Sequence, residues 1–233
     1  MSAHPPSRPL AVFDIDGTLV DSRASIFRAA TEAARDLGLP EPGYDRVRRI
    51  VGLSLDEAMR TLEPGLTDAE HADFVARFRA SFARMHAEGY QEPLYDGALA
   101  HLRRLHRDGW RLSLATGQNR KGVARNLARE GWADLFVSAH CADDGPGKPD
   151  PAMLHAALKA SDVRPRCAVM IGDTAHDARM ARNAGMAAYG VSWGFHTADE
   201  QHAEGVVHVA SDFRDLEAVL ETFAVGLKTL EPS

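Results

Sequence analysis

The feature that most constrains this chain is a repeated alternation of short apolar runs with segments of helical periodicity. Each run is four or five residues long, as expected of a buried strand, and each ends near a Gly, Asp or Ser. This alternation is typical of a parallel β-sheet that is covered by helices on both faces. The strands are predicted at 10–13, 111–115, 135–138, 167–171 and 187–191, and the helices of the later part at 97–108, 119–130, 151–160 and 175–184.

Residues 22 to about 90 break this alternation. Apolar side chains there repeat at helical spacing, as in Phe74, Phe78 and Phe82, and Gly and Pro residues divide the region into several helices. We therefore expect an all-helical domain over 21–92, inserted into an α/β core domain that is formed by 1–20 and 93–233.

Composition argues against several classes of protein. The net charge of −6 offers no basic face for a nucleic acid. No stretch approaches the ~18 continuous apolar residues that a membrane span requires. The two cysteines, Cys141 and Cys167, do not have the spacing of a zinc site. We expect a cytoplasmic protein without a nucleic-acid or membrane partner, and the sequence leaves open whether it is a monomer or a homodimer.

Two carboxylates follow the first predicted strand. Asp14 comes directly after it, and Asp16 can point into the same cavity once the chain turns at Gly17. Two carboxylates this close repel each other unless a cation lies between them, so the pair favours a divalent metal ion with oxygen ligands. The residues alone do not rank Asp14 over Asp16 as the reactive group, and a simple Asp–Gly turn is the structural alternative.

Polar groups also stand at the ends of the later predicted strands. Thr116 and Gly117 close the second strand and offer a hydroxyl and backbone N–H groups to an anion. Lys148 offers a positive charge to a phosphate group. Asp173 follows a buried strand, and Asp177 lies four residues later in the next predicted helix. In a parallel sheet all of these groups are expected at the same edge, beyond the carboxyl ends of the strands.

As a set, these motifs resemble those of the haloacid dehalogenase superfamily of phosphohydrolases, and they look most like its phosphoglycolate-phosphatase-like branch. The resemblance implies a Rossmann-like parallel sheet in which the insertion at 21–92 is an all-helical cap, here called the cap. The motifs that carry it are Asp14-Ile15-Asp16-Gly17-Thr18-Leu19-Val20-Asp21-Ser22, Thr116-Gly117, Gly147-Lys148-Pro149-Asp150-Pro151 and Gly172-Asp173-Thr174-Ala175-His176-Asp177.

The resemblance also implies roles for the residues of the first two motifs. Asp14 would be the nucleophile and a ligand of Mg²⁺. Asp16 would be the general acid and then the general base, with its backbone carbonyl on the metal, and Thr18 would position Asp16. Thr116 and the N–H of Gly117 would hold the phosphoryl oxygens.

In the other two motifs, the resemblance implies that Lys148 orients and neutralises the phosphoryl group. Asp173 would be a further metal ligand, and Asp177 would hold Lys148 or a metal-bound water. One departure from the pattern is Gln118, because many relatives carry a cationic residue directly after Thr-Gly.

Substrate choice is expected to come from the cap, because the core motifs bind only phosphoryl and metal. Arg48, Arg49 and the turn at Gly52 lie between two helical patterns, where a loop could reach the leaving group. An arginine there would suit a substrate with a second anionic group. Solvated arginines are the alternative interpretation.

The resemblance therefore implies a Mg²⁺-dependent phosphatase that hydrolyses a small phosphate monoester, phosphoglycolate-like, through an aspartyl-phosphate on Asp14. A sugar phosphomutase similar to β-phosphoglucomutase is the nearest alternative, and a non-catalytic binding protein on the same fold is another. Dehalogenation is disfavoured because in this superfamily that chemistry dispenses with the second acid, which is present here as Asp16.

Overall fold

A six-stranded, fully parallel β-sheet forms the centre of the computed structural model, which describes residues 8–129 and 131–230. The strands are β1 (Leu10–Phe13), β2 (Arg111–Thr116), β3 (Phe136–Cys141), β4 (Ala168–Gly172), β5 (Ala187–Val191) and β6 (His208–Ala210). They lie in the order β3-β2-β1-β4-β5-β6. The strand order therefore reverses between β1 and β4, which is where open α/β sheets bind their ligands.

Helices cover both faces of this sheet, so the α/β fold class predicted from the sequence is confirmed. The helices are α1 (Arg23–Asp36), α2 (Tyr44–Ile50), α3 (Leu55–Leu62), α4 (Asp68–Ala87), α5 (Ala98–Arg107), α6 (Arg120–Leu127), α7 (Ala152–Ser161), α8 (Ala175–Asn183), α9 (Ala198–His202) and α10 (Phe213–Leu230). None of the helices in the described part of the chain is both long and apolar enough to cross a bilayer.

Side chains of β1 alternate between two apolar cores, one on each face of the sheet. Ala11 and Phe13 pack in the core that α5 and α10 cover, whereas Leu10 and Val12 pack in the core that α7 and α8 cover. All four side chains are fully buried. A strand with two buried faces reads as a continuous apolar run, which is why β1 is visible in the sequence.

The cap contains α1 to α4 and has an apolar core of its own. Small side chains of α1, among them Ala29 and Ala33, share this core with Met59 of α3 and with Phe74 and Phe78 of α4. The aromatic side chains that recur at helical spacing in the sequence therefore pack in the core of the cap.

The chain leaves the core and returns to it at one place. The N–H of Asp21 donates to the carbonyl of Pro93 at 2.9 Å, and the N–H of Tyr95 donates to the carbonyl of Leu19 at 3.1 Å. On this evidence we propose the domain boundaries expected from the sequence, with the cap at 21–92 and the core at 1–20 and 93–233. Of the core, residues 1–7, 130 and 231–233 lie outside the described part.

One strand was not predicted. β6 is three residues long and begins with the half-buried His208, so it has neither the length nor the apolar character of the other runs. It forms because β5 presents a free edge, to which His208, Val209 and Ala210 pair in parallel. The five predicted strands are all present, with ends that differ by up to three residues.

Candidate active site

Two aspartates lie side by side at the reversal point of the sheet. Asp14 follows β1 and Asp173 follows β4, and these strands are hydrogen-bonded neighbours. The N–H of Asp14 donates to the carbonyl of Ile171 at 2.9 Å, which continues the ladder by one residue past β1. The sheet itself therefore brings together two carboxylates that are 159 positions apart in the sequence.

Lys148 joins this pair and adds a third carboxylate. Its Nζ lies 2.9 Å from Oδ1 of Asp14 and 2.6 Å from Oδ1 of Asp177, and all three side chains are buried. Burial alone would lower the pKa of Lys148, but Asp14 and Asp177 raise it above its usual value. Lys148 is therefore a fixed cation between the two carboxylates.

Asp177 is held from its other side by the start of α8. Its Oδ2 accepts from the N–H of Thr174 at 3.1 Å and from the Thr174 hydroxyl at 2.6 Å, which forms a capping box. With one oxygen on the helix cap and the other on Lys148, Asp177 acts as a support for Lys148.

Asp173 is fixed at both of its oxygens. Its Oδ1 accepts from the Thr18 hydroxyl at 3.0 Å, and its Oδ2 accepts from the N–H of Phe195 at 2.7 Å. Glycines make this approach possible, because a Cβ at either Gly17 or Gly194 would lie 2.2 Å from Asp173 Oδ2. Gly17 also has φ +81°, which a residue with a side chain rarely adopts.

Thr18 therefore differs from its expected role. The sequence comparison implied that it positions Asp16, but its single hydroxyl proton is donated to Asp173. After the turn at Gly17, the hydroxyl of Thr18 thus faces Asp173, which follows β4.

The donor set of this site fits a divalent cation such as Mg²⁺. One ligand oxygen from each of Asp14, Asp173 and Asp177 lies within 4.8 Å of the others. Among the described residues, this cluster contains three buried carboxylates but a single lysine, which pairs with Asp14 and Asp177. Hard oxygen ligands with excess negative charge are what Mg²⁺ prefers.

The electrostatics of the carboxylates point the same way. Burial raises the pKa of Asp14 to about 7 although Lys148 opposes this shift. Burial, together with the charges of Asp14 and Asp177, raises the pKa of Asp173 well above its usual range. A cation among these groups would favour their ionised forms.

Asp16 has a different environment. It is only half-buried, and its Oδ2 accepts from Nε2 of Gln118 at 2.8 Å. Burial raises the pKa of Asp16, and the hydrogen bond from Gln118 opposes that shift. Among the described residues Asp16 forms no ion pair, whereas Asp14 is paired with Lys148.

The predicted phosphate-binding residues lie beside these aspartates, under a loop of the cap. Thr116 is buried, and its hydroxyl accepts from the N–H of Gln118 at 3.2 Å. A Cβ at Gly117 would lie 2.5 Å from the carbonyl oxygen of Leu53. The backbone after β2 is therefore in direct contact with the cap, and only glycine fits there.

The three predicted substrate-selecting residues lie in this part of the cap, but the structure does not bring them together at the carboxylates. Arg48 turns toward the core, where it pairs with Glu200 at 2.8 Å and donates to the carbonyl of Phe195 at 3.3 Å. Arg49 is 60% exposed and pairs with Asp45.

Both arginines lie in the last turn of α2 and not in a loop between two helices, and both guanidinium groups have protein carboxylates as partners. A contact of either arginine with the leaving group stays a prediction. Gly52 does lie near the site: it has φ +96°, and a Cβ there would lie 3.0 Å from the Thr174 hydroxyl.

Three contributing residues were not identified from the sequence. Gln118 was noted only as a departure from the pattern, and its contact with Asp16 depends on the packing of α6. Phe195 contributes a backbone N–H, which every residue except proline has, so its residue type does not reveal this role. Glu200 is visible only as the N3 residue of the capping box whose N-cap is Thr197.

Comparison with known proteins agrees with this geometry. The sequence profile of the haloacid dehalogenase-like hydrolases matches residues 11–191. The chain is 32% identical over 200 residues to "Probable phosphatase IndB" of Dickeya dadantii, covering 84% of this chain and 86% of that protein. It is also 32% identical over 213 residues to a phosphoglycolate phosphatase of Vibrio vulnificus, covering 88% of this chain and 90% of the relative.

A solved structure shares the whole fold. The crystal structure of a hydrolase from Pseudomonas syringae superimposes with a TM-score of 0.81 at 24% identity, covering 92% of this chain and 99% of the other. The match includes both the sheet and the cap because it leaves so little of either chain unaligned. The chain therefore belongs to the haloacid dehalogenase-like hydrolases and is an enzyme of that family, similar to its phosphoglycolate phosphatases.

Proposed function

We propose that this enzyme is a phosphatase that hydrolyses a small phosphate monoester through an aspartyl-phosphate on Asp14. The observation that carries the proposal is the state of Asp14 at the reversal point of the sheet: one oxygen is held by Lys148, and the other is buried and free. A carboxylate that is fixed at one oxygen presents the other in a defined direction, as a nucleophile requires.

The contacts of the two aspartates support the following reaction. Oδ2 of Asp14 attacks phosphorus, the bond from phosphorus to the ester oxygen breaks, and Asp16 gives its proton to that oxygen. Asp16 then takes a proton from a water molecule as the water oxygen attacks phosphorus, and the bond to Asp14 breaks. Lys148 holds Asp14 in place and balances phosphoryl charge throughout.

Asp14, Asp173 and the backbone carbonyl of Asp16 would hold Mg²⁺. The ion would neutralise phosphoryl oxygens so that an anionic carboxylate can approach an anionic ester. Asp177 would contribute indirectly, by holding Lys148 in place. The hydroxyl of Thr116 and the N–H of Gly117 would receive the phosphoryl oxygens.

The named relatives support a substrate of the phosphoglycolate type, since a phosphoglycolate phosphatase aligns with 88% of this chain. The contact of Leu53 with Gly117 supports a small leaving group, because the cap loop lies directly on the phosphate-binding backbone. No observation on the described residues favours phosphotransfer between sugar positions over hydrolysis.

The test is a hydrolysis assay with the wild-type protein and Mg²⁺ on a panel of phosphorylated metabolites that includes 2-phosphoglycolate, sugar phosphates and p-nitrophenyl phosphate. We expect release of inorganic phosphate, with the highest kcat/KM on a small carboxylic-acid phosphate. Conversion of a sugar phosphate into its isomer without phosphate release would support the mutase instead. Absence of turnover on every ester would contradict the proposal.

A further inference from the structure

A chain of side-chain hydrogen bonds runs from Asp16 into α6 and beyond. Gln118 donates from Nε2 to Oδ2 of Asp16 at 2.8 Å. Asn126 donates from Nδ2 to Oε1 of Gln118 at 3.0 Å. Arg129 donates from Nε to Oδ1 of Asn126 at 2.9 Å, and from Nη2 to the carbonyl of Glu92 at 2.8 Å. Of these residues, only Asp16 belongs to the proposed reaction.

The direction of this chain is set at its far end. A guanidinium group only donates, so Arg129 requires the amide oxygen of Asn126 to face it. The Nδ2 of Asn126 then faces two acceptors, the Gln118 oxygen and the carbonyl of Gly122 at 3.2 Å. Reversing Asn126 would set its oxygen against the Gly122 carbonyl and its NH₂ against Arg129. The amide of Gln118 is therefore fixed with its NH₂ toward Asp16.

We propose that Gln118 is a positioning residue that reserves Oδ2 of Asp16 as a hydrogen-bond acceptor, so that the proton Asp16 transfers is carried on Oδ1, and that Arg129 imposes this polarity through Asn126. Gln118 presents only N–H to Asp16, so a proton on Oδ2 would have no acceptor there. This inference rests on the proposed function, in which Asp16 is the acid and then the base.

The proposal assigns the proton's path atom by atom. As phosphorus leaves the ester oxygen, the proton on Oδ1 of Asp16 passes to that oxygen and the leaving group departs as an alcohol. Oδ1 is then free to take the proton of the attacking water. Oδ2 keeps its bond from Gln118 in both steps, which prevents the carboxyl group from rotating between them.

A glycine makes room for this arrangement. A Cβ at Gly122 would lie 2.6 Å from Oε1 of Gln118, too close for both to keep their positions. Gly122 occupies the first turn of α6, where Asn119 caps its N–H at 2.9 Å. Alanine has a higher helix propensity than glycine, which offsets part of the cost of breaking the hydrogen bonds of Gln118. Gly122→Ala is thus expected to displace Gln118 from Asp16 in a protein that still folds.

The main test is Asn126→Asp, which does not touch Asp16. A carboxylate of the same shape keeps the bond from Arg129 but cannot donate to Gln118, so Gln118 must turn and present its oxygen to Asp16. We expect kcat on an alkyl phosphate to fall by about 10-fold or more. The loss should not exceed the ~10²–10⁴-fold that proton transfer contributes in total. The loss on p-nitrophenyl phosphate, whose leaving group needs little protonation, should be several-fold smaller, and KM should change little for both.

Gly122→Ala should show the same dependence on the leaving group, and it covers the case in which Asn126→Asp does not fold. Two controls match these variants. Lys121→Ala changes an exposed side chain of the same helix, and Gly226→Ala makes the same exchange in α10 where nothing lies within 4 Å. Both controls should leave both substrates unaffected. Equal losses on the two esters, a change in KM alone, or no loss in either variant would overturn the proposal.

A second measurement does not depend on turnover. The side-chain amide resonances of Gln118, identified by their disappearance in Gln118→Met, should move when Asp16 is replaced by Asn. They should stay in place when the exposed Asp134 is replaced by Asn. They should also move in Asn126→Asp. If they respond to neither variant, the inference is wrong. If they respond as expected while the wild type hydrolyses no ester, the proposed function is wrong and the hydrogen-bond chain stands.

Discussion

Asp14 and Asp16 are two residues apart, yet their surroundings differ in every respect that matters for reactivity. Asp14 is 1% exposed and ion-paired with Lys148, whereas Asp16 is half-buried and hydrogen-bonded to a neutral amide. The sequence predicted both as site residues but did not rank them from their own chemistry. The ranking depends on Lys148 and Gln118, which reach the site from other strands, so no local pattern contains it.

We predict different losses for the two carboxamide variants. Asp14→Asn removes the nucleophile and should lower kcat by at least ~10³-fold on every ester. Asp16→Asn removes proton transfer and should cost ~10²–10⁴-fold on alkyl phosphates but much less on p-nitrophenyl phosphate. Steady-state kinetics on both substrates separate the two roles. A leaving-group dependence in Asp14→Asn and none in Asp16→Asn would mean that the roles are exchanged.

The carboxylates at the site also predict a metal effect on stability. The cluster of Asp14, Asp173 and Asp177 contains only one lysine among the described residues and so carries excess negative charge. Binding of Mg²⁺ should therefore raise the melting temperature relative to the protein in EDTA. Asp173→Asn should abolish most of this rise, and Asp134→Asn, which changes an exposed carboxylate, should not. Activity should disappear with EDTA and return with Mg²⁺. Full activity after thorough chelation would contradict the metal assignment.

At the scale of elements, strands with two buried faces were predicted well because burial on both sides makes a continuous apolar run. β6 was missed because its pairing is decided by the free edge of β5 and not by its own composition. The cap was predicted as a helical region from the spacing of residues such as Phe74 and Phe78. The direction in which α2 points Arg48 depends on how the cap sits on the core, which periodicity does not encode.

The packing of α5 against the sheet leads to a prediction on pH. His101 of α5 lies between the rings of Phe13 and Phe213, and burial together with the charge of Arg104 lowers its pKa to about 4. The unfolded chain binds this proton below a pKa of about 6.5, so the folded state loses stability as the pH falls through that value toward 4.

Between pH 7 and pH 5, His101 should account for about 2 kcal/mol of lost stability, as the difference between the two pKa values implies. His101→Gln, which does not titrate, should be less stable at pH 7 but should lose less on acidification. Urea denaturation at the two pH values measures both. An equal loss in the variant and the wild type would show that His101 is not responsible.

At the scale of the whole molecule, the cap and the core are joined by an ion pair that the sequence could not reveal. Arg48 of α2 and Glu200 of α9 are 152 positions apart, and Glu200 also completes the capping box of its own helix. The fold class, the helical cap and the four motifs at the strand ends were predictable because each leaves a local pattern in the sequence. Contacts between the domains were not, since they need the relative placement of two separately folded units.

We predict that Arg48→Met and Glu200→Gln are energetically coupled. Gln still fits the N3 position of a capping box, and Met keeps the apolar stem. Arg48→Met also removes the contacts of Arg48 with Asp45 and with the carbonyl of Phe195, but these losses cancel in the cycle. A double-mutant cycle in urea should give a coupling of about 0.5–1 kcal/mol. The same cycle on the exposed pair of Arg35 and Glu41, made with Met and Gln, should give a value near zero. Similar coupling energies in both cycles would show that the ion pair between the domains is no stronger than an exposed ion pair within the cap.

The two chain crossings between the domains have a consequence for the evolution of such a protein. The N–H of Asp21 donates to the carbonyl of Pro93 at 2.9 Å, so the inserted cap leaves the core and returns to it at one place. A different inserted segment whose two ends meet can be accommodated there while the strands of the sheet keep their pairing. Because the proposed reaction uses residues of the core, exchange of the cap would change which ester is accepted and leave the reacting residues unchanged.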